Sequence, residues 1–106
     1  MIPAGELKYR LVLEAPVETP DGAGGVSRSY APVATVWAAL AATGDRADTS
    51  AAALGAIVTH RIVMRTGPEV TVRHRFRLGA RIFRVVAVRP DADGQFLTIH
   101  AEERTG

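Results

Sequence analysis

Arginine is the residue of this chain with the most chemical reach. The 106 residues include 13 basic side chains, and all but Lys8 are arginine. Eight of them, Arg61, Arg65, Arg73, Arg75, Arg77, Arg81, Arg84 and Arg89, fall between Thr59 and Pro90, where Glu69 is the one acid. A guanidinium stays charged and grips carboxylate or phosphate through paired hydrogen bonds. The segment therefore suits an anionic neighbour or an ion-pair network between subunits. A GC-rich genome would give the same arginine bias with no function attached, and both explanations stand. Arg73, Arg75 and Arg77 alternate with apolar residues and are predicted to project from one strand face at intervals of about 6.6–6.8 Å. They form the candidate basic face, turned toward a sister subunit or toward DNA, with a solvated strand face as the plain alternative.

Other chemistry is sparse. His60, His74 and His100 fall in three different predicted strands with no carboxylate or second histidine at ligand spacing. His60 and His74 sit on apolar strand faces, where a hydrogen-bonded core histidine is the ordinary role. Ser27, Ser29 and Ser50 lack the strand–turn–helix setting of a nucleophile elbow. The acids are scattered through turns, so no pair stands out as general acid and base. The chain has no cysteine, which excludes a disulfide framework, zinc–thiolate coordination and thiol catalysis. Gly22-Ala23-Gly24-Gly25 does not match a dinucleotide fingerprint and no helix follows it. No catalytic residue, cofactor or metal ligand is assigned.

The elements that must position these residues read as strands and turns. Leu7, Tyr9, Leu11 and Leu13 alternate with Lys8, Arg10 and Glu14, the period of a half-buried strand. Pro16 and Pro20 bracket a loop ending in Asp21-Gly22-Ala23-Gly24-Gly25, whose glycines supply the positive φ of a wide hairpin tip. Asp21, Gly22, Gly24 and Gly25 are the candidate docking loop. A second strand covers residues 26–30 and resumes over 33–42, with Pro32 marking a bend or an edge. Trp37 is expected to pack in the core or between subunits.

Residues 43–50 and the Ala51-Ala52-Ala53-Leu54-Gly55 run break the pattern. Asp48, Thr49 or Ser50 can cap a short helix over 51–54, and Gly55 can stop it. A connection this long between strands is often functional. Further strands are predicted over 57–65, 72–78, 81–89 and 96–102. The nearly continuous apolar run Ile82-Phe83-Arg84-Val85-Val86-Ala87-Val88 reads as a strand covered on both faces. Six strands with closely spaced turns predict an all-β domain over residues 1–106. Its architecture is a small antiparallel barrel or sandwich with one long loop carrying a short helix.

Composition agrees with an ordinary globular domain, with 47% apolar and 23% charged residues and a net charge of +2. No apolar run is long enough for a transmembrane helix, and residues 1–5 lack the pattern of a secretory signal.

The order of these features resembles the head–tail joining proteins of tailed phages. They are also called head-completion or stopper proteins and occur in prophages and gene transfer agents too. The resemblance rests on Gly5-Glu6-Leu7-Lys8-Tyr9-Arg10-Leu11, the Asp21–Gly25 loop, Val36-Trp37-Ala38 and Thr59-His60-Arg61-Ile62-Val63-Met64-Arg65. It continues through Phe76-Arg77-Leu78-Gly79-Ala80-Arg81-Ile82-Phe83-Arg84-Val85 and Leu97-Thr98-Ile99-His100-Ala101-Glu102-Glu103. Each motif is ordinary strand and turn chemistry, and their joint order along nearly the whole chain carries the likeness.

The resemblance implies a non-enzymatic subunit of a virion or gene-transfer-agent particle, made in the bacterial cytoplasm. Copies would form a ring, a hexamer, beneath the portal or adaptor protein. That ring would retain packaged double-stranded DNA passing through its channel and dock a tail terminator or tail tube below. No membrane and no cofactor enter. In some relatives the loop after the second strand narrows the channel. The matching candidate gating loop here comprises Gly44, Asp45, Arg46, Asp48, Thr49, Ser50, Leu54 and Gly55. Arginines set against Glu102, Glu103 or Asp21 are expected to fix the ring register. The alternatives are a tail terminator or other neck-ring protein, and a small nucleic-acid-binding barrel.

Overall fold

A computed structural model describes residues 7–43 and 58–104. Six strands follow in order: β1 (Tyr9–Pro20), β2 (Val26–Ala42), β3 (His60–Arg65), β4 (Arg75–Leu78), β5 (Arg81–Pro90) and β6 (Phe96–Arg104). They close into a barrel of order β1-β2-β3-β6-β5-β4, and every neighbouring pair is antiparallel. The choice left open between barrel and sandwich falls to the closed barrel, which removes free edges along the wall. The expected short helix at 51–54 and the candidate gating loop lie outside the described residues.

Alternation fills the interior as predicted. Leu11 and Leu13 of β1, Ile62 and Met64 of β3, Phe76 of β4, and Phe83 and Val85 of β5 are buried in one cluster with Val36, Ala38, Ile99 and Ala101. Burying each large side chain contributes about 1.5–3 kcal/mol, which makes this cluster the main stabilising term.

Three strand assignments are corrected. First, β1 does not stop at Glu14 but runs on to Pro20, paired with an unbroken β2 from Pro20↔Val26 to Tyr9↔Ala38. The prolines are tolerated because of their phase. The Asp21 N–H donates to the Gly25 carbonyl at 3.1 Å, which makes that pair hydrogen-bonded and sets the alternation up the ladder. Residues 16, 20 and 32 then fall at positions whose nitrogen points away from the partner strand, where proline forfeits no ladder bond. Pro32 is absorbed by a bulge: Leu13 faces Ala34 while Glu14 faces Pro32, leaving Val33 as the extra, exposed residue.

Second, β5 is not apolar because both its faces are covered. Val85 pairs with Ala101 and Ala87 with His100, so Val86 is an inserted bulge residue. The bulge changes the phase, and Val88, opposite Ile99, faces the core three positions after Val85 rather than two.

Third, β4 starts at Arg75, not at 72. The His74 N–H donates to the Thr71 carbonyl at 3.0 Å and closes a turn over Val72 and Arg73.

Among the described residues, β1 beyond Glu14 pairs only with β2, and β2 meets β3 only from Ala38 onward. The pairs from Ala15↔Ala31 to Pro20↔Val26 therefore form a two-stranded arm of about 20 Å. At its tip Gly22 and Gly24 adopt φ of 82° and 87°, the left-handed region that disfavours a Cβ. The Asp21 Oδ1 accepts the Ala23 and Gly25 N–H groups at 2.8 and 3.1 Å and holds the tip in one shape. Thr43 and Val58, which flank residues 44–57, lie at the other end of the barrel from the arm.

Candidate functional site

The expected row of three arginines divides. Arg73 sits in the Thr71–His74 turn, and only Arg75 and Arg77 share the outer face of β4. Both are bound to the carboxylate of Glu14, which the alternation along β1 places on the polar face. Glu14 of β1 lies directly opposite Arg75 in the barrel seam. Its Oε1 accepts from Arg75 Nε at 2.7 Å and its Oε2 stands 3.3 Å from Arg77 Nε, while the side chain is only 5% exposed. The Arg75 guanidinium also lies over the Tyr30 ring, 3.8 Å from its centre. Such stacking fixes the plane of the guanidinium and adds a cation–π attraction.

Arg75 has a like charge beside it on the other strand, because β4 and β5 place it directly opposite Arg84. Like charges facing across a ladder destabilise it. Here the outer face continues with Glu102 of β6, opposite Arg84 and 3.5 Å from its Nη2. The row across four strands thus runs Glu14, Arg75, Arg84, Glu102, with each cation beside an acid. No local signal could have found it, since Glu14 and Arg75 are 61 residues apart and meet only where the barrel closes.

A second polar group occupies the barrel end where residues 44–57 leave and return. Arg81 Nε donates to Glu103 Oε2 at 2.7 Å and its Nη2 to Oε1 at 3.1 Å, a two-pronged pair. His60 Nε2 lies 3.7 Å from Glu103 Oε1, and its ring packs edge-on against Phe83 with centroids 5.1 Å apart. The histidine is hydrogen-bonded, with Thr59 Oγ1 at 2.9 Å from Nδ1, but it sits at the partly buried barrel end and not in the core, where the alternation places it. Thr59 Oγ1 accepts the Glu103 N–H at 2.6 Å, and the Thr59 carbonyl accepts the Thr43 N–H at 2.9 Å. The two roots of the 44–57 segment are thereby tied to each other and to β6.

These contacts give the barrel an acid sensitivity. Burial holds the pKa of His60 below its ordinary 6.5, with the Glu103 carboxylate opposing that shift and Arg81 adding to it. The unfolded chain then takes up this proton first, so stability falls as pH drops through about 6.5. Arg81 holds Glu103 below its ordinary 4.5, so a second loss follows as pH falls further and that carboxylate is protonated. Urea midpoints are expected to decline from pH 7 to 5.5 and again toward pH 4, with the first decline missing in His60→Asn. An unchanged midpoint between pH 7 and 5.5 would refute this assignment.

Glu102 and Glu103 thus face Arg84 and Arg81 of their own chain, and the Asp21 carboxylate closes the arm tip. Trp37 is not in the core: it is 58% exposed on the outer wall, opposite Arg10, beside a hollow of about 290 Å³ lined by Leu7, Thr35, Val36, Arg65, Thr66 and Pro68. His74 lies in the turn rather than in β4, and its Nδ1 accepts the Thr71 N–H at 3.0 Å. Among the described residues no group of three or more histidines and acids is placed to hold a metal ion.

The phage head completion protein family matches residues 2–104. The chain belongs to that family. A chain in the virion of a native gene transfer agent particle is 34% identical, with a TM-score of 0.70 over 93% of this chain and 96% of the other. Protein SF1141 from Shigella flexneri 2a, 23% identical with a TM-score of 0.69 over 96% of both chains, shares the fold. No curated protein matches. Family membership gives the barrel a head-completion role, which is a structural one, and a place in the virion. In this head completion protein, the outer ion-pair row and the polar barrel end are parts of the barrel, and the two-stranded arm extends from it.

Proposed function

We propose that this chain is a stopper subunit, copies of which form a ring beneath the portal or adaptor protein. The ring holds packaged double-stranded DNA in the head and offers a docking surface to the tail terminator or tail tube. The observation that carries the reading is the near full-length likeness, at 34% identity, to a chain of a gene transfer agent virion. The two-pole geometry supports it, because a subunit stacked between head and tail needs one contact element for each neighbour.

The arm suits docking. An isolated two-stranded hairpin is marginal in water, so an arm of this length gains from packing on another protein. One face carries Ala15, Val17, Thr19, Ser27, Ser29 and Ala31, none of them charged, and Val17 is exposed. Prolines at 16, 20 and 32 replace outward N–H groups and limit strand addition at its edges. The arm therefore meets its partner through a face. The candidate gating loop, from Gly44 to Gly55, lies outside the described residues; its flanking residues Thr43 and Val58 sit at the braced opposite pole, which gives this reading its second contact element.

Particles assembled without this chain are expected to have filled but tailless heads whose DNA becomes nuclease-sensitive. Particles lacking only residues 44–55 should leak DNA while keeping the ring. Tailed particles with nuclease-protected DNA in the complete absence of the chain would overturn the proposal.

A further inference from the structure

The arm leaves the barrel beside a cleft of about 290 Å³ lined by Pro16, Arg28, Tyr30, Val72, Arg73, His74 and Arg84. We infer that this cleft is a phosphate site, filled by a phosphodiester of duplex DNA; the DNA source rests on the proposed stopper reading.

The lining is rich in donors and contains no carboxylate. Arg73, in its turn, has no acid within ion-pair distance among the described residues. Arg28 reaches the exposed Glu18 at 2.8 Å, and Arg84 reaches Glu102 only at 3.5 Å. Both arginine side chains remain about half exposed or more, at 60% and 48%, and can turn to a ligand. Counting the adjoining clamp, Arg28, Arg73, Arg75, Arg77 and Arg84 face Glu14, Glu18 and Glu102, a surplus of two positive charges. His74 adds a ring donor: its Nδ1 accepts the Thr71 N–H, which leaves Nε2 to carry a proton.

The forks come from three separate elements: β2, the Thr71–His74 turn and β5. A guanidinium grips a phosphodiester's two unesterified oxygens as it grips a carboxylate's, and a duplex repeats that group along a backbone that several separate forks can follow. The cleft is also held open by its own packing. Tyr30 is fixed under Arg75, and Arg75 is fixed by the buried Glu14. The Tyr30 wall therefore needs little ordering on binding, and what remains is the turning of Arg28, Arg73 and Arg84 to the ligand.

The test uses the purified chain with inorganic phosphate and, separately, a short DNA duplex. Phosphate should shift the NMR signals of the Arg73 and Arg84 side chains and the His74 ring, and an Arg73→Gln, Arg84→Gln double variant should abolish those shifts. For the duplex, the double variant should lower the slope of log affinity against log salt by about two, one for each lost contact. Arg10→Gln, on the Trp37 side of the barrel, should leave the cleft signals unchanged. Near-wild-type melting is expected in the double variant, because Arg73 has no ion pair among the described residues and the long 3.5 Å contact of the half-exposed Arg84 to Glu102 contributes about 1 kcal/mol or less. No response to phosphate, or equal losses from Arg10→Gln and the cleft variant, would overturn the site. Phosphate binding without duplex binding would overturn its DNA source. Neither arm involves particles, so a negative result here leaves the stopper reading intact.

Discussion

Phe76→Ala should cost about 3–5 kcal/mol, the usual range for emptying a fully buried phenylalanine position. The position is sensitive because β4 has only four residues and Phe76 is its fully buried side chain. Phe76 stands opposite Leu13 on one side and Phe83 on the other, so it packs both seams of the closing strand. A void there loosens the β1–β4 seam, which has three paired positions, and with it the register that brings Glu14 to Arg75. A small domain has only about 5–15 kcal/mol in hand, so this variant should melt about 20 °C lower. Phe76→Leu keeps most of the volume and should lose much less. Val72→Ala, on an exposed side chain, should stay within about 0.5 kcal/mol of wild type. Calorimetry or urea titration decides the matter, and a Phe76→Ala loss below about 1 kcal/mol would show that closure does not depend on this seam.

Arg75→Met should be the most damaging change outside the core. It strands Glu14, whose carboxylate is buried and would keep only the longer contact to Arg77. Removing one partner of a buried pair costs about 3–5 kcal/mol because the remaining charge is uncompensated. Arg77→Met should cost less, since the 2.7 Å bond from Arg75 remains. Glu14→Gln removes the stranded charge, so the Glu14→Gln, Arg75→Met double variant should be more stable than Arg75→Met alone. Denaturant unfolding of the four proteins gives the coupling directly. Equal losses for Arg75→Met and Arg77→Met, with no recovery in the double variant, would mean that the pair acts as a surface contact.

The consequence for function is a division of labour among the arginines. Arg75, Arg77 and Arg81 brace the barrel, while Arg73, with Arg28 and Arg84 beside it, keeps donors turned toward solvent. Charge counting along the chain treats all of these alike. Exchange of Arg73, Arg75 and Arg77 together would therefore mix a folding defect with a binding defect, and Arg73→Gln with Arg84→Gln separates the two.

Local pattern determined much of this protein: six strands, the turns between them, the inward residues of β1, β3 and β6, and the family to which their order belongs. Those features depend on side-chain period and on turn residues, which neighbours in sequence suffice to specify. The run of β1 through Pro16, the bulges at Val33 and Val86, and the turn holding Arg73 depended on which backbone groups met a partner strand. The burial of Glu14, its capture by Arg75 and Arg77, and the cleft beside Tyr30 were decided only by barrel closure. Closure joins β1 to β4 across 61 residues, and a charge's environment is set by what lies beside it in space, which no spacing along the chain records.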